Sequence, residues 1–302
     1  MRGGESLGHL DSYKINRANP EEWSKYHAIY RLSNFNEWMS LSFQSDIERY
    51  KNLDFCYWVE RDGKRVGGAL IKPNMLKCIF TIPPFNDNKE LIEVLTLYVN
   101  SLSDKSKDIV IPDADSRLIE YYTINGYQMQ RTEKLMVCAT SEFNVTWEER
   151  YKIMAPKIEH TEAVAKLYFD TYSTNELQYI ASQSYDFQVS NVQGYFKHTQ
   201  ALDVTNEWST LILDTKTNKL IGACMVGFIN ELPYILDFVV HPEFQRRGLG
   251  AKMIQRTLNL LYRNYSAIRL NVTVGNNAEI FYNKLGFLGL PEKAYMTREV
   301  EI

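Results

Sequence analysis

Val240-His241-Pro242-Glu243-Phe244-Gln245-Arg246-Arg247-Gly248-Leu249-Gly250 joins a strand to a helix. Upstream, Tyr234 to Val240 is apolar at nearly every position apart from Asp237, the pattern of a buried strand, and Pro242 stops it because proline cannot extend the ladder. Downstream, Ile254, Leu258, Leu261 and Tyr262 fall at i, i+4, i+7 and i+8, which predicts a helix over 250–262. Small residues at such a junction let the backbone approach a ligand closely. The first N–H groups of the helix have no intrahelical partner, and with the helix dipole they form a seat for an anion such as a phosphate or pyrophosphate. Arg246 and Arg247 add cationic donors. Taken alone, the glycines also fit a tight strand–helix turn with solvated arginines. A dinucleotide-binding fold opens in a similar way, but Met253 stands where its third glycine belongs, and no Gly-Lys-Ser/Thr follows as in a Walker loop.

Outward from this loop the second half reads as alternating elements. Glu159 to Tyr172 and Val189 to Thr199 are helical, Trp208 to Leu213 and Leu220 to Phe228 are strands, and Ile268, Leu270, Val272 and Val274 alternate as another. Asn277 to Leu285 is a short helix ended by Gly286, and Lys293 to Val300 is a last strand. The order predicts an α/β protein with a mixed sheet.

Two motifs then stand in series: Gln245-x-x-Gly248-x-Gly250 behind Val240-His241-Pro242, and Asn277, Tyr282, Lys284, Gly286 and Phe287 in the spacing Asn-x-x-x-x-Tyr-x-Lys-x-Gly-Phe. Over about residues 150–302 the chain resembles the GNAT superfamily of N-acetyltransferases. The resemblance implies acetyl-CoA or another acyl-CoA as cofactor. Its pyrophosphate would sit on the amides of Gln245, Arg246, Arg247, Gly248, Leu249 and Gly250. Its pantetheine arm would pair with the strand end at Phe238, Val239 and Val240, Asn277 would help hold that arm, and Tyr282 would stand near the thioester sulfur.

The chemistry needs a neutral amine, an oxyanion donor such as the Val240 amide, and a proton for the leaving thiolate. Tyr282, with an ordinary pKa near 10, suits the last role as general acid, although an aromatic on a short helix also serves packing. Asp237 is costly to bury unless paired. It can activate the amine, act through water, bind an acceptor ammonium, or simply bond to neighbouring backbone. Glu231 is a second candidate base, and His241 reads as a loop residue. None of the four cysteines, Cys56, Cys78, Cys138 and Cys224, holds a motif position, which disfavours a covalent thiol route. Their spacing suits neither a disulfide framework nor a metal site.

The first half repeats the second. Arg65-Val66-Gly67-Gly68-Ala69-Leu70-Ile71 matches Leu220-Ile221-Gly222-Ala223-Cys224-Met225-Val226, and Tyr121-Tyr122-x-x-x-Gly126-Tyr127 matches Phe281-Tyr282-x-x-x-Gly286-Phe287. From Gly67 to Tyr122 is 55 residues and from Gly222 to Tyr282 is 60, so the repeat is a domain duplication. Opposite the glycine loop the first half has Asn86-Asp87-Asn88-Lys89-Glu90-Leu91, with no glycine or arginine and two acids, and Arg117 replaces the motif asparagine. The division expected is a degenerate GNAT-like domain over 1–140, with a flexible leader over 1–18, and a GNAT domain with the cofactor loop over 141–302. Trp23, Tyr26, Tyr30, Phe35, Trp38 and Phe43 form an aromatic-rich stretch at roughly helical spacing, read as core.

The 302 residues fit two domains at about 150 each. With 34 basic and 37 acidic residues the formal charge is −3, which gives no reason to expect nucleic acid. No apolar run suits a membrane span, and a cytoplasmic protein, monomer or homodimer, is expected. The preferred reading is an acetyl-CoA-dependent N-acetyltransferase acting on a primary amine, from a small molecule or peptide, by direct attack in a ternary complex. The alternative is a non-catalytic acyl-CoA-binding or regulatory module.

Overall fold

The computed structural model describes residues 10–34, 43–174, 183–229 and 232–300. They form two compact units. The first takes the chain up to Leu135 together with Val272–Glu279 and the stretch from Gly289 onward; the second takes Met136–Asn271 and Ile280–Leu288. A linear cut at 140/141 misses these returns, because strand pairing between distant segments leaves no local pattern in the sequence.

In the first unit, β1 (Tyr13–Arg17), β2 (Cys56–Arg61), β3 (Lys64–Lys72) and β4 (Met75–Thr81) run antiparallel in order. β5 (Ile109–Asp115) is parallel to β4, with the bridge at Met75↔Val110. On the far side of β5 lies the last strand of the chain, here β12 (Leu288–Arg298), antiparallel from Arg298↔Ile109 to Lys293↔Asp115. Alternation along β2 sends Tyr57 and Val59 into one core, with Leu91, Leu95 and Val99 of α3 (Asn88–Leu102), and Cys56 and Trp58 into another, with Trp23 of α1 (Pro20–Asn34) and Tyr50 of α2 (Phe43–Tyr50). The aromatic stretch is therefore core at Trp23, while Tyr26 and Phe43 are exposed; Phe35 and Trp38 lie outside the described residues. β1 corrects the expected leader within residues 10–18; residues 1–9 lie outside the described ones. Polar as β1 is, Tyr13 and Ile15 fall on one face and pack against the core, and ladder bonds to β2 do the rest.

The second unit holds β7 (Tyr151–Met154), β8 (Thr210–Asp214), β9 (Lys219–Ile229) and β10 (Leu232–Val240), successive neighbours and antiparallel. β11 (Ala267–Thr273) is parallel to β10 and paired only at Tyr234↔Arg269. β9 shows why the strands are so apolar. Ala223 and Met225 face α5 (Thr161–Tyr172) and α6 (Tyr185–Ala201) through Leu167, Tyr168, Val192 and Phe196, while Gly222 and Cys224 face Met253 and Thr257 of α7 (Leu249–Leu261). Both faces are covered. Trp208, read as strand, instead ends a short 3-10 turn, Asn206–Trp208, whose start is capped by Thr205.

The duplication persists in backbone detail. After α4 (Ile119–Ile124) the Tyr127 amide donates to Tyr122 O at 3.1 Å across Gly126, and after α8 (Asn277–Lys284) the Phe287 amide donates to Tyr282 O at 3.1 Å across Gly286. This is the same left-handed helix stop in each half. β6 (Gln128–Ala139) follows the first stop as β12 follows the second. Its end, Met136–Ala139, belongs with the second unit, beside β11.

Candidate active site

β10 carries the site because one of its edges opens. Beyond Tyr234 it has left β11, and a bulge between Ile235 and Asp237 shifts its register on β9, re-aiming the residues that follow. The His241 amide donates to Ile221 O of β9 at 2.8 Å. By alternation the Val240 N–H and C=O face the other, open side. Gln245 takes that carbonyl with Nε2 at 2.9 Å, which leaves the Val240 N–H at the opening. Phe238, two residues back, shares its orientation; Val239 is buried in the core.

The loop turns through Pro242–Phe244, a short 3-10 turn, and then through two left-handed residues, Arg246 at φ 59° and Gly248 at φ 77°. Gly248 is the N-cap of α7 and gives it no side-chain cap hydrogen bond. The orphan amides at the helix start therefore remain available to a ligand. Gly250 matters for a different reason: a Cβ there would sit a tight 3.3 Å from the ring edges of both Phe238 and Phe281, and those rings would have to give way by a few tenths of an ångström. Leu249 is buried and anchors the helix. Gln245, Arg246 and Arg247 are exposed. Arg247 folds back, donating to Glu243 O at 2.8 Å with its guanidinium 5.0 Å above the Phe244 ring.

Tyr282 is 6% exposed. Its ring meets those of Phe238, Phe281 and Phe287 at 6.0, 5.3 and 5.4 Å. Burial, then the nearby Cys224, Asp237 and Tyr234, push its phenol well above the ordinary value. The ring packs, the first of the two readings left open by the sequence, and the hydroxyl is held neutral.

Asp237 is only partly buried by surface, yet its carboxyl is enclosed. Tyr172 donates to Oδ1 at 3.3 Å and Asn191 to Oδ2 at 3.0 Å. Burial raises its pKa to about 6 against the lowering effect of these two bonds. On this side of β10 lies a pocket of about 470 Å³ lined by Phe187, Asn191, Tyr195, Leu236 and Asp237 among others. Tyr172 and Asn191 were missed by sequence reasoning, and nothing but their places on α5 and α6 hinted at them. Glu231 lies outside the described residues. His241 serves the loop, with Nδ1 accepting from the Glu243 amide at 3.4 Å. Asn277 is the exposed first residue of α8, and the helix start is capped by Asn276, whose Oδ1 accepts from the Glu279 amide at 2.8 Å. Residues 272–279 fall with the first unit.

In the first unit the matching helix start also has no side-chain cap hydrogen bond, but acids stand there in place of the glycines. Arg61 pairs with Asp87 at 2.9 Å and with Glu90 at 3.2 Å. All four cysteines are buried and free. Among the described residues no cluster of three or more His, Cys, Asp or Glu side chains could hold a metal, and no helix is long and apolar enough to cross a membrane.

Residues 207–288 match the family model of the acetyltransferase (GNAT) domain. No curated protein matches the chain in sequence. Among solved structures, it is similar to a GCN5-related N-acetyltransferase from Sphaerobacter thermophilus, with 13% identity, 97% of both chains covered and a TM-score of 0.72. It is also similar to a tandem GNAT protein from the clavulanic acid biosynthesis pathway, with 12% identity, 96% of this chain and 99% of that one covered, and a TM-score of 0.64. A third likeness is to the GCN5-related glucosamine N-acetyltransferase region of a fungal multi-domain GH3 beta-N-acetylglucosaminidase, with 10% identity, 94% and 38% coverage, and a TM-score of 0.65. These identities speak for the fold. The chain has the fold of a tandem GNAT protein, and within it residues 207–288 match the GNAT acetyltransferase domain.

Proposed function

We propose that the second unit moves an acetyl group from acetyl-CoA to a primary amine, by direct attack in a ternary complex. The observation that carries this reading is the pairing of an uncapped helix start at Gly248 with the open edge of β10. One suits a pyrophosphate, the other an extended amide-bearing arm that adds itself like a strand.

The amine nitrogen attacks the thioester carbonyl carbon while the carbon–sulfur bond breaks. The oxyanion that develops is met by the Val240 N–H. Tyr282, kept protonated by its surroundings, gives its proton to the leaving thiolate and is restored by the second proton that the nitrogen sheds as the amide forms. Asp237, titrating near 6, takes the proton that the ammonium must lose before it can attack. A base with a pKa near the operating pH is the efficient choice. Holding both substrates in one cleft supplies much of the remaining acceleration. Arg246 and Arg247 add positive charge at the rim of the anion seat. The first unit, with Asp87 and Glu90 at its helix start, takes no CoA.

Calorimetric titration of the full chain with acetyl-CoA tests this reading. One site per chain is expected, lost in the double variant Arg247→Glu, Gly248→Asp. Two sites would contradict the assignment of the first unit, and no binding would overturn the transferase reading. Binding with no turnover across a broad panel of amines would leave a non-catalytic acyl-CoA module.

A further inference from the structure

The first unit has a cavity of its own, bounded by β4 and β5. Its volume is about 200 Å³, and it is lined from β4 by Lys77, Cys78 and Ile79, from β5 by Asp113 and Asp115, and from α1, α2 and α4. It is far too small for CoA. It is also strongly polar. Tyr122, the counterpart of Tyr282 in the repeat, forms part of its wall.

The charges around it do not cancel. Arg31 is matched by Asp46 at 3.1 Å, and Arg117 by Asp115 in a bidentate grip. Asp113 accepts the Cys78 amide at 3.2 Å and faces the Cys78 thiol at 3.5 Å. Arg49, on α2, and Lys77, on β4, form no ion pair among the described residues. They stand on two different walls of the cavity, and Lys293 of β12 lines it as well. Deeper in, His27 is 3% exposed. Its Nδ1 faces Asp46 Oδ2 at 3.3 Å, too poorly aligned to satisfy either atom. A polar void of this size does not stay empty. Arg49 is exposed and Lys77 half-buried, and Asp113 is the lining acid that forms no ion pair among the described residues, so the two cations face one free carboxylate and the site keeps a positive excess.

We infer that this cavity binds a small organic or inorganic anion, of carboxylate or phosphate type, independently of the acetyl-transfer site. Lys77 and Arg49 supply the positive charge, and the phenols around them supply neutral donors. The buried Cys78 thiol, pushed up by its burial and by Asp113, is no nucleophile, so the site binds and does not react.

The experiment is titration of the full chain, by calorimetry and thermal shift, with inorganic phosphate, succinate, citrate and L-glutamate, with putrescine as the cationic control. At least one anion is expected to bind at one site with a Kd below about 10 mM, and putrescine is expected not to bind. The double variant Lys77→Met, Arg49→Gln should weaken binding by about tenfold or more. Ile79→Phe, which narrows the cavity without touching a charge, should weaken it as well. The loop variant Arg247→Glu, Gly248→Asp should leave it unchanged. Phosphate binding alone, or carboxylate binding alone, would fix the anion type. Failure of all four anions would overturn the inference, as would loss of binding in the loop variant with retention in the Lys77 and Arg49 variant; either result would leave the transferase reading standing.

Discussion

At the scale of single residues, Tyr282 and Asp237 separate by what their removal changes. Tyr282→Phe keeps the ring contacts and loses the proton, so kcat should fall by about 10²-fold or more with acetyl-CoA affinity unchanged; equal loss of both would make the tyrosine a packing residue only. Asp237 predicts a pH effect with a definite sign. Its carboxyl is raised from 3.8 to about 6 by burial, so the ionised form is the disfavoured one in the fold. The stability it contributes is complete below about pH 4 and is lost as the pH rises through about 6. Asp237→Asn should therefore melt higher than the parent at pH 7.5, with the gap closing toward pH 4. In activity, the parent's rate should rise through about pH 6 and the variant should lack that limb; a variant that keeps the limb would remove Asp237 from the chemistry. The sequence marks this carboxylate clearly, as a lone charge in an apolar run. It does not give its partners, since Tyr172 and Asn191 stand 65 and 46 positions away.

Whole elements were legible where their period is long and their apolar face continuous. α7, β9 and β10 lie within a residue or two of the bounds predicted by pattern. β1 and β7 were not seen, because five and four residues are too few to show alternation, and both are held by ladder bonds to their neighbours. Trp208 looked like strand because a local hydroxyl cap leaves little trace in hydropathy. Two changes probe elements directly. Gly248→Ala forces a side chain into the left-handed region at the N-cap of α7 and should cost roughly 1–2 kcal/mol, read from urea unfolding; an unchanged midpoint would mean that the loop relaxes freely. Ending the chain at Phe287 removes β12 and bares β5. Residues 10–135 should then be cut readily by protease, whereas resistance equal to the full chain would mean that β12 is dispensable.

For the whole molecule the repeat was readable from Gly67 with Gly222 and Tyr122 with Tyr282, and the two-part organisation followed from it. What no repeat could show is that the parts are not contiguous. The first unit recovers 272–279 and the chain end, and the second begins four residues before Thr140. Residues 141–302 made alone should accordingly fail to melt cooperatively or to bind acetyl-CoA, and full binding by that fragment would refute the dependence. Synthesis adds a constraint of timing. The seat beside β5 is made early, at Ile109–Asp115, and its occupant ends at Arg298. At ribosomal speed those are on the order of 10–40 s apart. For that interval the nascent sheet has an open edge, a hazard that proteins usually hide, and the strand nearest to hand is β6, the counterpart of β12 in the repeat. A ribosome-bound chain must therefore either keep that edge vacant or let β6 borrow it and give it back.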